Sequence, residues 1–265
     1  MKIEKGTNYQ NDVQLKKRKS IYDYATPEID AEEEIIKLIN PDSSILDVGC
    51  GNGDLLIRMR KQGFSGKLIG IDISEGILQQ GIKQSEEEKL NIVFKVEGAE
   101  KLEFSDNSFD VIISKHVLYH VENVKAATKE AYRCLKPKGL FIVSLNSYLE
   151  NKPKLGSFYK KIEKEFGFRI QRGQDELNIE NFEPFLLNFK KKKLLKFRNL
   201  IELKNAKPYV DYLDSMKDFF KPLPERNQWE IILNKFESFI NKEIEVEGIF
   251  REKNTFGIFV ATKMK

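Results

Sequence analysis

Hydrophobic positions in the first 146 residues follow two alternating periodicities. Short, nearly continuous apolar runs indicate strands that are covered on both faces. These runs lie at 44–48, 67–72, 91–96, 109–114 and 140–145. Apolar residues at helical spacing predict helices at 26–40, 54–62, 74–87 and 122–135. Strands that alternate with helices predict a parallel sheet with helices on both of its faces.

The alternation ends after Asn146. Residues 147–190 predict loop and helix, and further helices are expected at 206–220 and 225–242. Two more strands are expected at 193–202 and 255–262, which makes seven in all. The last of these, Thr255 to Thr262, has the clearer strand pattern of the two.

The composition is that of a globular chain in a reducing compartment. The 265 residues are 40% hydrophobic and 32% charged, and no apolar run approaches the roughly 18 residues that a membrane span requires. The polar start Met1–Lys5 predicts no signal peptide. Two cysteines, Cys50 and Cys134, do not form a disulfide framework, so we expect a cytoplasmic protein. The net charge of +4 gives no argument for a nucleic-acid partner.

A glycine-rich turn, Leu46–Gly53, joins the first predicted strand to a helix. Glycine permits positive φ and close approach of a ligand to the backbone, and the following helix presents free N–H groups to an anion. A P-loop would need Lys and Ser or Thr after Gly53, where Asp54 and Leu55 stand, and the dinucleotide fingerprint would need glycine at Asp54. A purely structural turn is the other interpretation.

The segment Asp47–Gly53 resembles the nucleotide loop of class I S-adenosylmethionine-dependent methyltransferases, in particular the type 11 group that methylates quinones and small molecules. Further family motifs follow in order, and the resemblance covers about residues 40–146. The stretches of this chain that resemble these motifs are 96–104, 106–114, 117–121 and 133–139. Taken alone each motif is weak, but the ordered set is specific.

The resemblance implies a fold and a division of the chain. The expected fold is a Rossmann-like, doubly wound α/β sheet of seven mostly parallel strands with an antiparallel C-terminal strand, plus a helical cap. We expect an N-terminal cap segment at 1–30 and a cofactor-binding core at 31–146. Residues 147–265 would supply cap helices and the last strands of the core sheet.

The resemblance also assigns cofactor-binding residues for S-adenosylmethionine, whose product is S-adenosylhomocysteine. Asp72 would bind both ribose hydroxyls, because a carboxylate accepts two hydrogen bonds from a diol, and Ile73 would pack on the adenine. Members of the family often have Asp where Gly98 stands, so adenine recognition would fall to Ala99 and Glu100. The full predicted set is Asp47, Gly49, Cys50, Gly51, Asp72, Ile73, Gly98, Ala99, Glu100, Ser114, Lys115, Tyr119 and Tyr22.

Methyl transfer from a sulfonium is an in-line displacement that needs alignment and water exclusion but no covalent nucleophile. If a base is needed, His116 and His120 are the only histidines and follow the fourth strand. Packing against the cofactor or a helix start is the alternative role for each. No cluster of Cys and His has metal-ligand spacing, so no metal is expected.

Acceptor specificity is expected outside the core motifs. These segments are rich in Phe and Tyr, which either line a substrate site or form ordinary core. Tyr22 and Tyr24 either contact cofactor or substrate or simply pack. The run Lys190–Lys193 suits phosphate binding but also a solvated strand entry. We expect a small-molecule acceptor and a monomer or homodimer; an RNA or protein methyltransferase and a non-catalytic cofactor-binding protein are the alternatives.

Overall fold

The computed structural model describes residues 13–170 and 176–264. Its main sheet has eight strands. In spatial order from one edge they are β1 (Ala25–Thr26), β8 (Lys190–Leu203), β10 (Phe250–Thr262), β6 (Leu135–Asn146), β5 (Phe109–Lys115), β2 (Ile45–Val48), β3 (Leu68–Asp72) and β4 (Ile92–Val96). A separate two-stranded sheet pairs β7 (Arg169–Ile170) with β9 (Phe220–Lys221).

The five strands β2 to β6 run parallel, and β10 is antiparallel to both of its neighbours, β6 and β8. This confirms the predicted Rossmann-like fold with an antiparallel C-terminal strand. The strand count is eight instead of seven because β1 pairs with β8 through Ala25 and Thr26. A two-residue strand leaves no periodic signal in the sequence.

Helices lie on both faces of the sheet and in the cap. They are α1 (Val13–Ser20), α2 (Ala31–Ile36), α3 (Asp54–Lys61), α4 (Glu75–Glu87), α5 (Val124–Cys134), α6 (Pro153–Phe166), α7 (Lys207–Asp214) and α8 (Arg226–Glu247). Short 3₁₀ turns occur at Ile21–Tyr24, Leu118–His120, Glu183–Leu186 and Lys217–Phe219. None of these described helices is long and apolar enough to cross a membrane.

Several predicted boundaries are wrong. The helix expected at 206–220 ends at Asp214, and Phe220 lies in β9, where it pairs with Ile170. The helix expected to start at Thr26 begins at Ala31, because the Asp30 side chain accepts hydrogen bonds from the backbone N–H groups of Glu32 and Glu33 and so caps it. Residues 136–139, expected to end a helix, lie inside β6. There the backbone of Lys138 and Gly139 pairs with Lys263 at the end of the chain, which extends the sheet.

Alternate residues along the central strands point to opposite faces. Ile45 and Ile113 pack with α2 and α3 on one face, whereas Leu46 and Ile112 pack with α5 and residues 177–189 on the other. A third apolar cluster joins α6, α7 and α8 to the ends of β8 and β10 and forms the cap. The carboxyl ends of β2, β3, β5 and β6 therefore meet at one edge of the sheet, beside the cap.

Candidate cofactor site

The glycine turn follows β2 directly and leads into α3. Gly49 has φ +73°, and a Cβ at that position would lie 2.4 Å from Cγ1 of Val117. Gly53 has φ +77° and caps α3, and its Cβ would lie 2.6 Å from Cε1 of Phe94. Both positions need glycine for the backbone conformation and for the space. Hydrogen bonds also fix the turn, because the backbone N–H groups of Gly49 and Cys50 donate to the Ile71 carbonyl and that of Gly53 donates to the Cys50 carbonyl.

Asp72 ends β3 and faces this turn. Its Oδ2 accepts a hydrogen bond from the Gly51 N–H at 3.0 Å, and its Oδ1 accepts one from the Ser74 N–H at 2.9 Å. Burial raises the pKa of Asp72, and the two backbone hydrogen bonds oppose that shift. Each carboxylate oxygen keeps a further lone pair. Asp72 is therefore held in place with the capacity to accept two hydroxyl donors, as the ribose of S-adenosylmethionine would require.

An apolar surface lies beside Asp72. Ile73 is 66% exposed and Val96 is 58% exposed, although both are large hydrophobic side chains. A Cβ on Gly98 would be 3.7 Å from Cγ2 of Ile73, so these two residues are neighbours. The patch fits a flat apolar ring such as adenine. Glu100 has another task, since its Oε1 accepts a hydrogen bond from the Asn123 N–H at 2.5 Å at the start of α5. Ala99 packs against the core.

Asp47 and Ser114 are buried polar residues at the ends of β2 and β5. Asp47 is 1% exposed, burial raises its pKa to about 7, and its Oδ1 has no hydrogen-bond partner in the described residues. The Ser114 hydroxyl is likewise buried without a partner there. Lys115 forms an ion pair with Glu32 of α2. The side chains of Asp47 and Ser114 point to opposite faces of the sheet, because Asp47 is two residues from Ile45 and Ser114 is two residues from Ile112. Buried polar atoms are normally hydrogen-bonded, so the unsatisfied Asp47 oxygen fits a polar ligand group. The Ser114 hydroxyl instead lies among apolar side chains on the α5 face.

Cys50 and Tyr119 lie at the edges of this site. Burial, together with the charges of Asp47 and Asp72, raises the pKa of the Cys50 thiol well above its usual value, which disfavours the thiolate. The Tyr119 ring contacts the His120 ring edge-on at 4.4 Å between centroids, and Tyr119 also packs against the core.

The two histidines follow β5. His116 has φ +56°, and its backbone N–H donates to the Ser144 carbonyl at 3.0 Å. The ring nitrogen Nδ1 of His116 is buried without a partner among the described residues. Burial lowers the pKa of His116 to about 3 and that of His120 to about 4. Both rings are therefore neutral near pH 7. The groups whose charges reinforce these shifts include Lys115 and Lys152 for His116 and Arg18 for His120.

Tyr22 lies on the cap side of the site. Its hydroxyl accepts a hydrogen bond from Lys152 Nζ at 3.2 Å. The Lys152 side chain is 4% exposed and was not predicted from the sequence, because nothing in the local pattern around 152 indicates a buried lysine. Tyr24 is 43% exposed. The structure therefore brings Tyr22 to the cap, while the role predicted for it at the cofactor stays a prediction.

Helix α1 lies over the glycine turn, within the N-terminal cap segment expected at 1–30. Cδ2 of Leu15 is 3.6 Å from the position of a Cβ on Gly51. Lys19 forms an ion pair with Asp54 at 2.6 Å, and Lys17 forms one with Asp214 of α7 at 3.1 Å. The helix thus connects the turn to the cap. The sequence predicts the cap segment but not the helix, because residues 13–20 are mostly polar and have no buried side chain.

No group of three or more His, Cys, Asp or Glu side chains that could hold a metal ion occurs among residues 13–170 and 176–264. The site is built from a glycine turn, the carboxylates of Asp47 and Asp72 and an exposed apolar patch. These are the features that bind a nucleoside carrying a polar tail.

A profile of a methyltransferase-domain family matches residues 39–198, which is more than half of the chain. The chain belongs to this methyltransferase family. Its assignment to the class I S-adenosylmethionine-dependent enzymes, predicted from the ordered motifs, is confirmed at the level of the family.

Curated relatives carry different names. The chain is 41% identical over 117 residues to a ubiquinone/menaquinone biosynthesis C-methyltransferase of Rickettsia prowazekii, covering 42% of this chain and 47% of that protein. It is 28% identical over 167 residues to a phosphoethanolamine N-methyltransferase of Triticum aestivum, covering 62% and 31% respectively. The chain spans about half the length of the quinone-methylating relatives it matches.

Solved structures share the fold. Phosphoethanolamine N-methyltransferase 2 of Haemonchus contortus, in complex with phosphomonomethylethanolamine and S-adenosylhomocysteine, superposes with a TM-score of 0.56 at 18% identity. The match covers 88% of this chain and 52% of that one. At this identity the likeness shows the fold alone.

Proposed function

We propose that this protein transfers the methyl group of S-adenosylmethionine to a small-molecule acceptor by in-line displacement. The observation that carries the proposal is the hydrogen bond from the Gly51 N–H to Asp72. This bond joins the glycine turn and the ribose-binding carboxylate into one cradle at the carboxyl ends of two parallel strands. Ligands of open α/β sheets bind at this edge.

Other predicted residues would surround that cradle. Asp72 would accept the ribose hydroxyls, Ile73 and Gly98 would face the adenine, and Asp47 would meet the polar tail. The ion pair with Lys115 holds Glu32 of α2 near Asp47. The bound cofactor supplies a methyl group on a sulfonium leaving group. The chain's own task is to orient the acceptor and exclude water, and α1, lying over the turn, contributes to the exclusion.

Between the two histidines, we propose His116 as the group that contacts the acceptor. Its Nδ1 is buried and unpartnered in the described structure, and its neutral ring can accept a proton or a hydrogen bond. His120 packs beside Tyr119 and serves the cofactor side of the pocket.

Two relatives support a small-molecule acceptor. The relatives' names mention a quinone in one case and phosphoethanolamine in another, which are both small molecules. A cytoplasmic location, a monomeric or homodimeric state and the division at residues 30 and 146 belong to the same proposal.

Calorimetry with S-adenosylmethionine and S-adenosylhomocysteine tests the proposal. We expect both to bind, and Asp72→Ala to weaken binding by about tenfold or more, since it removes charge-assisted hydrogen bonds. Asp211→Asn, an exposed acid on α7 that pairs with Lys207, is the matched control and should leave binding unchanged. Failure of folded wild-type protein to bind either compound would refute the proposal.

Turnover is tested separately by measuring S-adenosylhomocysteine release with panels of small-molecule acceptors and with bulk RNA. Release with a small molecule supports the proposal. Release with RNA alone would favour the nucleic-acid alternative instead.

A further inference from the structure

Lys152 places a buried ammonium beside the proposed site. It directly precedes α6 and is 4% exposed. Its Nζ donates to Tyr22 Oη at 3.2 Å and to Asn254 Oδ1 at 3.2 Å. The same nitrogen lies 5.0 Å from the centroid of the Tyr22 ring and 5.5 Å from that of Tyr212. These contacts fix the position of the ammonium.

All of these partners are neutral. Within the described part of the chain, no carboxylate lies within 4.0 Å of the Lys152 ammonium. The buried Glu252 carboxyl, two residues before Asn254 on the same face of β10, is an acid whose pKa the Lys152 charge lowers. Because it forms no ion pair within 4.0 Å of the ammonium, the Lys152 cation remains costly to bury. An ammonium has three N–H donors, and the two hydrogen bonds use only two of them. The structure thus keeps a desolvated positive charge with one donor to spare.

The ammonium lies on the same side of the sheet as the His116 ring. Asn254 and Phe256 are two residues apart in β10, so their side chains point to one face about 7 Å apart along the strand. The Phe256 ring is 6.3 Å from the His116 ring between centroids. The charge of Lys152 also contributes to the lowered pKa of His116, as expected for groups that are near each other.

Polar atoms without partners accumulate in this region. Asn151 is 8% exposed, and neither its Oδ1 nor its Nδ2 has a hydrogen-bond partner among the described residues. The Ser144 hydroxyl is fully buried and also unpartnered there, and the Ser144 carbonyl binds the His116 N–H. Buried amide and hydroxyl groups rarely stay unsatisfied. Their presence next to Lys152 and His116 points to a polar ligand.

We propose that Lys152 is a specificity-determining residue that binds a negatively charged oxygen of the methyl acceptor, so that the acceptor is an anion. The inference rests on the proposed function and deepens it by naming the chemical class of the acceptor. A phenolate, a carboxylate and a phosphate ester share this chemistry. Tyr22, 38% exposed, connects the buried ammonium to solvent and marks the entry side.

Calorimetry on the complex with S-adenosylhomocysteine tests this directly. The probes are benzoate against benzamide, 4-nitrophenolate against 4-nitroanisole, and inorganic phosphate. We expect at least one anion to bind, and the organic anions that bind to do so about tenfold or more tightly than their neutral counterparts, as a charge-assisted hydrogen bond allows. The anion that binds best identifies the source of the charge.

Three substitutions distinguish the effect of the Lys152 charge from an effect on folding. Lys152→Met should abolish the preference for anions, and Lys152→Arg should retain most of it. Asn254→Asp places a carboxylate beside the ammonium and should lower anion affinity although Lys152 is still present. This variant tests the role of the Lys152 charge even if Lys152→Met does not fold. Lys154→Met is the matched control, because that lysine pairs with Glu243 and lies outside the site.

The outcomes distinguish this inference from the proposed function. If S-adenosylhomocysteine binds but no anion does, or anions bind no better than neutral probes, the role of Lys152 is refuted and the function stands. An anion preference that survives Lys152→Met and Asn254→Asp refutes it equally. If folded wild-type protein does not bind S-adenosylhomocysteine, the proposed function itself fails.

Discussion

Glu252 is a carboxylic acid in the interior of the cap, 1% exposed. Its Oε2 accepts from the Leu155 N–H at 2.8 Å and its Oε1 from the Lys253 N–H at 3.0 Å. Burial outweighs these bonds and raises its pKa from 4.5 to about 7. Between these values the folded state holds a proton that the unfolded chain has lost. Stability therefore falls as the pH rises through this window and stays low above it.

Glu252→Gln should remove this contribution. The amide cannot ionise, so we expect the free energy of unfolding to fall less between pH 5 and pH 8 than in wild-type protein, by at most about 3 kcal/mol. Urea unfolding at both pH values measures the difference. Glu230→Gln, on the exposed face of α8, is the control. The same pH dependence in Glu252→Gln and wild type would contradict the prediction.

For single residues, the sequence predicts correctly the positions that depend on neighbouring residues in the chain. Gly49 and Asp72 lie where the motif implies, because a turn and the next strand end determine their positions. The contact of Glu100 with Asn123 and the burial of Lys152 could not be predicted, because the partners of both residues lie elsewhere in the chain. Glu100 accepts from Asn123, and Lys152 contacts Tyr22, 130 positions away in the sequence. Only the fold brings such pairs together.

Among the elements, α1 is held mainly by polar contacts. None of its eight residues is buried, and its ion pairs with Asp54 and Asp214 are partly exposed to solvent. Exposed ion pairs contribute little stability. Helix α1 is therefore expected to open locally at a small fraction of the global free energy of unfolding.

Binding of S-adenosylhomocysteine should slow tryptic cleavage within α1. Leu15 lies over the glycine turn, so a ligand in the turn gains contacts with α1 and holds it in place. Limited trypsin digestion followed by mass spectrometry measures the cleavage rate at residues 16–19, with and without ligand. Cleavage at Lys235 and Lys242 in α8 serves as the internal reference. Equal protection from cleavage at α1 and α8, or no protection at α1, would contradict the expected contact between α1 and ligand bound at the glycine turn.

The interiors of the long elements were predictable, whereas their ends depended on partners. The buried runs that form β2, β3 and β5 need no context, because only a doubly covered sheet requires such runs. Thr26 has a plausible helix-start sequence, yet it pairs with Leu200 of β8 and leaves capping to Asp30. The pairing partner lies 174 positions away, beyond the reach of any local pattern.

For the whole molecule, β8 and β10 decide how core and cap are related. Phe256 and Ile258 of β10 belong to the sheet core, while Phe250 of the same strand belongs to the cap cluster. Ile201 and Leu203 of β8 also lie in the cap cluster. The sequence predicts both strands but not that they continue into the cap, since their register with each other sets their length. Continuous strands predict that core and cap unfold together.

Trp229 allows this coupling to be measured, because it is the only tryptophan and lies in the cap. Its Nε1 donates to Asp214 Oδ1 at 2.9 Å, and its ring contacts Phe220. At a free ligand concentration of about 100 times Kd, S-adenosylhomocysteine should stabilise the folded protein by about 2.7 kcal/mol.

If core and cap form one cooperative unit, ligand bound at the core edge should raise the urea midpoint of Trp229 fluorescence and of far-UV circular dichroism equally. Without ligand the two midpoints should also coincide. If ligand raises the circular dichroism midpoint but leaves the Trp229 fluorescence midpoint unchanged, the cap folds independently. That result would support a domain boundary near residue 146. Coincident shifts would instead make the cap an integral part of the catalytic unit, so that substitutions in α7 or α8 that weaken packing would lower cofactor affinity from a distance.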